Sequence, residues 1–160
     1  MPNKCLRIDR LCKNDIDQLS LLFEFIANDS SAVNFHPHPF TKEQAIIISS
    51  YQGRDIYLGA FVDDELSGYG MLRGWDSGFQ IPSLGIYLSP SARGRGFAEA
   101  IMSELHHYAC ENGAHSVRLK VYPNNAAALI IYKRMGYTFE TEEEGQLVGY
   151  INLSSGNTVY

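Results

Sequence analysis

Leu88-Ser89-Pro90-Ser91-Ala92-Arg93-Gly94-Arg95-Gly96-Phe97-Ala98 is the stretch on which the fold turns. The run before it, Ile81 to Leu88, is apolar and β-prone and reads as a strand. After it a helical stripe begins. Gly94 and Gly96 let backbone approach a ligand with no Cβ in the way. The helix that follows points free N–H groups and the positive end of its dipole outward. With Arg93 and Arg95 adding charge, the junction reads as a pyrophosphate site. A P-loop needs Gly-Lys-Ser/Thr, which is missing here. A dinucleotide fingerprint needs a third glycine three residues after Gly96, where the chain has Glu99. What remains is a strand-turn-helix anion site of another kind.

Working downstream, Ala98, Ile101, Met102, Leu105 and Ala109 form one apolar stripe, predicting a helix from Arg95 to Asn112 that Gly113 stops. His106 and His107 fall on its outer arc and read as exposed, and Cys110 as a partly buried, inert thiol. Ser116 to Tyr122 alternates Val117, Leu119 and Val121 inward with Arg118 and Lys120 outward, a strand. Strand, helix and strand make one right-handed crossover, so strands 81–88 and 116–122 should be parallel. Asn125 to Met135 reads as a helix with Lys133 and Arg134 in its last turn and Gly136 after it. Tyr137 to Leu153 suggests a final strand pair.

Upstream, residues 4–10 read as a short strand. Asn14 is a plausible cap for a helix whose face carries Ile16, Leu19, Phe23 and Ile26. Asn28 to Phe40 reads as a loop, and Thr41 with Gln44 has the form of a capping box opening a second short helix over Ala45 to Ile48. Ile56 to Val62 and Leu66 to Arg73 flank Asp63-Asp64-Glu65 as a hairpin. Gly74 to Gln80 is a loop holding Trp75. The predicted order is β-α-α-β-β-β-α-β-α-β-β, an α/β (α+β) single domain.

Composition agrees. The 160 residues are 45% hydrophobic and 19% charged, as in ordinary globular proteins. A net charge of −5 argues against nonspecific nucleic-acid binding. Cys5, Cys12 and Cys110 are odd in number and lack metal-ligand spacing, so reduced thiols and a cytoplasmic setting are expected. The first thirteen residues lack the apolar core of a signal peptide, and no apolar run is long enough to span a bilayer. His36-Pro37-His38 has the look of a metal pair but lacks a third ligand, so a proline-constrained loop is the better reading and no metal is expected.

A second block stands downstream: Asn125-x-x-Ala128-x-x-x-Tyr132-x-x-x-Gly136-Tyr137. Residues 125, 128 and 132 share one helical face. Asn125 can bond a ligand amide or cap the helix, Ala128 leaves room for a chain, and Tyr132 presents a phenol or packs as a core aromatic. Arg93-Gly94-Arg95-Gly96-Phe97-Ala98 resembles the Arg/Gln-x-x-Gly-x-Gly/Ala signature of the GNAT superfamily of acyl-CoA-dependent N-acyltransferases. The second block resembles that family's Asn-x-x-Ala-x-x-x-Tyr-x-x-x-Gly-Phe pattern, at the same spacing and distance downstream.

The resemblance implies a GNAT-like fold: a mixed, mostly antiparallel sheet of about seven strands with a splayed parallel central pair and about four helices. It implies acetyl-CoA as co-substrate, its pantetheine arm between strands 81–88 and 116–122, paired with backbone near Tyr87 and Leu88. The pyrophosphate would lie on residues 93–98, and Asn125, Ala128 and Tyr132 would line the arm. Tyr132 matches the family's general acid. Strand 81–88 carries no carboxylate where many members place a glutamate, which leaves Asp76, His36, His38 or a water chain as base. His36, His38, Trp75 and Asp76 are the candidate acceptor contacts, with Trp75 and Phe79 either lining a cleft or packing over the sheet edge. The expected activity is N-acetylation of a small-molecule primary amine. Peptide acetylation and non-catalytic acyl-CoA binding are the alternatives. No nucleic-acid or membrane partner is expected, and a homodimer is admitted.

Overall fold

The computed structural model describes residues 5–153. Residue 4, counted in the predicted first strand, lies outside them. The elements run β1 (Leu6–Arg10), α1 (Ile16–Ala27), α2 (Lys42–Ser49), β2 (Ile56–Val62), β3 (Glu65–Arg73), β4 (Ser83–Leu88), α3 (Phe97–Glu111), β5 (Ser116–Val121), α4 (Ala126–Met135), β6 (Thr138–Glu143) and β7 (Gln146–Asn152). The predicted order holds, with boundaries moved by a few residues.

Local chemistry explains most ends. Thr41 accepts the N–H of Gln44, so the predicted cap opens α2. Asn14 does not cap α1; residues 13–15 form a 3₁₀ turn, and Asp15 instead accepts the N–H of Cys12. Two hairpins close with two-residue turns in which both residues are left-handed: Asp63-Asp64 (φ 52 and 67) and Glu144-Gly145 (φ 51 and 81). Such turns match the right-handed twist of the strands they join.

Among the described residues seven strands lie in the order β1-β2-β3-β4-β5-β7-β6, and of these only β4 and β5 run parallel. Alternation along the strands builds two cores. Leu58, Leu72, Leu84, Val117 and Leu119 meet Ile101, Met102 and Leu105 of α3 on one face. Phe61, Tyr69, Met71 and Tyr87 meet Leu19, Phe23 and Ile48 of α1 and α2 on the other. Each such side chain, fully buried, is worth about 1.5–3 kcal/mol. Helix α3 sits tightly on β3 at Gly70, where a Cβ would come within 2.8 Å of Ile101 and 2.9 Å of Leu105. Ile131, Tyr132 and Met135 of α4 pack on the same face as α3. The core under α1 and α2 takes residues from β2, β3 and β4 but none from β5, β6 or β7, so neither helix packs on that face of the sheet beyond β4.

Candidate active site

The turn that decides the fold is built as its residues require. After a 3₁₀ turn over Pro90–Ala92, Gly94 and Gly96 adopt left-handed φ of 78 and 79, and nothing lies within 4 Å of where a Cβ would stand. Gly96 occupies the N-cap of α3 without any side chain capping that end. The first-turn N–H groups are therefore left without a side-chain cap, beside exposed Arg95. Phe97 and Ala98 are half-buried against the core. Glu99, in the first turn, is held by Arg134 of α4 at 3.2 Å.

Beyond this turn the sheet opens. Ser83 and Arg118 are the single register pair between β4 and β5, where Arg118 N–H donates to the Pro82 carbonyl at 3.0 Å. From there the strands diverge toward Leu88 and Val121. On its other side β4 is fully paired with β3, and Ser89 N–H donates to Ser67 O at 2.8 Å. In an antiparallel pair alternate residues carry the bonds. Tyr87 therefore spends its amide on Tyr69, and Ile86 and Leu88 turn theirs to the gap. The Leu88 carbonyl is taken by Arg93 Nε at 2.9 Å, leaving the Leu88 N–H facing the opening.

The gap forms a cleft of about 340 Å³ lined by Ile86, Tyr87, Leu88, Ala98, Asn125, Ala128 and Tyr132, with Ser31 and Phe35 from the opposite side. It thus gathers most of the predicted cofactor residues. Asn125 Oδ1 accepts the Ala128 N–H at 3.2 Å, which caps α4, and the residue also lines the cleft. Burial pushes the Tyr132 phenol up to about 12, so it keeps its proton across the neutral range.

Arg93 is turned inward. Its head donates to Ser31 Oγ at 3.1 Å and stands 3.7 Å from Asp29. Asp29 also accepts the Tyr87 hydroxyl at 2.7 Å. Burial alone would raise the Asp29 carboxyl; bonds from Tyr87 and Ser31 and the Arg93 charge outweigh it and hold it below the usual range. This knot ties the segment around Ser31 over the cleft. The 3₁₀ turn there, Ser30–Ala32, lies inside the predicted loop, and neither Asp29 nor Ser31 is visible as a site residue from spacing.

The four acceptor candidates do not converge. His36 is exposed. His38 is half-buried among Phe23, Phe40 and Tyr69, with Nε2 3.0 Å from the Tyr69 hydroxyl and Nδ1 2.7 Å from the Pro39 carbonyl. Burial lowers its pKa, so it is neutral. Trp75 packs in the core beneath α3, 4% exposed. Asp76 accepts the Arg54 N–H with both oxygens. Two readings of α3 are corrected. His106 is not exposed: it turns inward to bond Tyr137 Oη at 2.7 Å, and burial drives its pKa to about 4. Cys110 is exposed rather than partly buried, because the stripe ends one position earlier at Ala109. His107 is exposed as predicted, beside Glu111.

A second cleft, of about 720 Å³, lies on the sheet face opposite α3, lined by Tyr57, Arg73, Ser83, Arg118, Glu143 and Tyr150 among others. Alternation correctly turns Arg118 away from the core, yet it is not simply solvated: its side chain is 24% exposed and is bonded to Glu143 at 2.6 Å in the cleft. Among the described residues no group of three or more His, Cys, Asp or Glu is arranged to hold a metal, and no helix is long and apolar enough to cross a membrane.

A family model described as the Acetyltransferase (GNAT) family matches residues 22–137. Among curated proteins no sequence matches significantly. Solved structures do. The PaiA N-acetyltransferase of Thermoplasma acidophilum, in complex with coenzyme A, is similar at TM-score 0.75 and 18% identity, over 92% of this chain and 99% of that one. The GNAT domain of S. lividans PAT is similar at TM-score 0.78 and 18% identity, over 92% and 90%. YncA of Salmonella typhimurium, solved with its cofactor acetyl-CoA, is similar at TM-score 0.73 and 15% identity, over 96% of each chain. At such identities the likeness is one of fold.

Proposed function

The chain belongs to the GNAT acetyltransferase family, and on that premise we propose that it transfers an acetyl group from acetyl-CoA to the primary amine of a small molecule by direct attack. The observation that carries this reading is the single rung between β4 and β5, which opens the centre of an otherwise continuous sheet beside an uncapped helix N-terminus.

The residues present fit acetyl-CoA. Gly94 and Gly96 leave a cradle without Cβ atoms, and the first N–H groups of α3 stand ready for a diphosphate. The cleft behind it has apolar walls in Ile86, Ala98, Ala128 and Ile131 and polar points in Leu88 N–H and Asn125. When bound, acetyl-CoA supplies an activated thioester and a thiol leaving group.

The chain's own contribution is position and charge. Leu88 N–H faces the gap where a donor can stabilise negative charge developing on an acyl oxygen. Tyr132 Oη holds a proton that it can give to a departing thiolate, a positioned acid being worth about 10²- to 10⁴-fold. Gly94 to Ala98 and Asn125 hold and orient the co-substrate, and Arg95 adds positive charge. Arg93 acts at one remove, by fixing the segment around Ser31 across the cleft. Among the described residues no carboxylate lines the gap. The amine therefore sheds its proton to water before attack. Neither His38, sealed behind Tyr69, nor Asp76, occupied by Arg54, is needed as a base.

The test is titration calorimetry with acetyl-CoA, followed by thiol release over a panel of small amines and short peptides. Binding with turnover of small amines supports the reading. Binding without turnover of any amine points to a sensor, and turnover of peptides alone to a protein-directed enzyme.

A further inference from the structure

Four adjacent strands place four side chains in a row. Arg73 is the register partner of Ser83, Ser83 of Arg118, and Arg118 of Tyr150. Register partners share a sheet face and stand about 5 Å apart. Two arginines thus flank a serine on the face opposite α3, at the apex where the parallel strands part. The small side chain between them leaves the hollow of the 720 Å³ cleft, which all four line.

The charges there are unevenly spent. Glu143 is held by Arg118 at 2.6 Å and Lys120 at 3.5 Å. Asp55 accepts the N–H groups of Gly74 and Trp75 at 3.1 and 3.0 Å. Arg118 keeps a buried Nε without a hydrogen-bond partner. Half-buried Arg73 has no carboxylate within 4 Å among the described residues. It hydrogen-bonds the Tyr57 side chain, and its positive charge is felt by Tyr69 and His38, but none of the three can neutralise it. Guanidinium forks match planar, two-oxygen anions.

Building on the acetyl-transfer reading, we propose that this cleft is the acceptor site and that the acceptor is an amine bearing a carboxylate, which Arg73 holds over Ser83 while Arg118 stays paired with Glu143. Ser83 and Leu88 lie on one strand five residues apart, roughly 16 Å. An acceptor anchored by its carboxylate at the apex points its amine along β4 toward the gap. Nearby Asp55 and Glu143 oppose a dianion and suit a singly charged group.

The experiment uses a matched set with similar amines and chains long enough to cover that reach: 12-aminododecanoate, 12-aminododecanamide and dodecylamine. Thiol release gives kcat/KM for each, and calorimetry gives equilibrium binding of each to the full chain, for wild type and for Arg73→Gln and Arg73→Lys. The expected result is a preference for the acid over the amide of about 10- to 100-fold in both readouts, the range of a charge-assisted bond. Arg73→Gln should bring that ratio to about one, and Arg73→Lys should restore part of it. Equal handling of acid and amide by wild type, or a preference that survives Arg73→Gln, overturns the proposal while leaving acetyl transfer intact. Loss of acetyl-CoA binding and of all turnover would instead remove the acetyl-transfer reading, and the equilibrium arm would still decide whether the cleft selects a carboxylate.

Discussion

Tyr87 on β4 donates a 2.7 Å hydrogen bond to Asp29, 58 residues earlier in the chain. The bond spans from the sheet to the segment that crosses the candidate cleft. Asp29→Ala should cost about 1–3 kcal/mol, because it leaves a part-buried phenol without its acceptor. It should also raise the KM for acetyl-CoA more than it lowers kcat. Thermal melts and steady-state kinetics check both. The Asp29 carboxyl titrates below its unfolded value, so its contribution is complete above about pH 4 and fades as the pH falls through its folded pKa.

Gly96 holds φ 79 in open space, so a methyl group there meets backbone strain rather than a clash. Gly96→Ala should lose about 1–2 kcal/mol, lowering Tm by about 2–8 °C for a chain this size. The dissociation constant for coenzyme A should rise in the same variant, since the turn would relax away from the shape that exposes its amides. Unaltered affinity by calorimetry would remove the turn from the binding surface.

Tyr132 is held protonated to about pH 12. The rate should therefore climb with pH as the acceptor amine loses its proton and show no descending limb below about pH 11. Tyr132→Phe should cut kcat by about 10²- to 10⁴-fold with coenzyme A affinity largely kept. A rate that falls near pH 9, or a fully active Phe variant, assigns the acid elsewhere.

His106 bonds Tyr137 and has its pKa pushed down to about 4 by burial. In the unfolded chain it binds a proton below about pH 6.5. Between pH 6.5 and 4 the unfolded state thus holds more protons, and stability should fall as pH falls through that window. Melting temperature followed against pH should flatten there in His106→Gln.

The sequence carries the fold in signals of short range. The glycines at 94, 96, 113 and 136 all take positive φ at the turn or helix ends where they were expected, and the crossover from β4 through α3 to β5 follows from two strands and one stripe. Much of the candidate cleft was legible for the same reason, as Arg93, Ala98, Asn125, Ala128 and Tyr132 fall in two compact motifs. What stayed hidden depends on contacts between distant segments. Asp29 gains its role only by meeting Tyr87 and Arg93. His106 looked outward because a single helix does not reveal Tyr137, which arrives from beyond α4. Trp75 disappears into the core because its turn folds under α3. Arg73 and Arg118 become neighbours only once register is known.

The lone rung at Ser83 and Arg118 divides the sheet mechanically into a four-stranded leaf and a three-stranded leaf, with α3 bound to both. A molecule wedged between the leaves would act as a seam, lending Ile86 and Leu88 the partners that β5 withholds. Occupancy should then slow amide hydrogen exchange along the facing edges of both leaves, well beyond the atoms it touches, so that loading the enzyme also stiffens it.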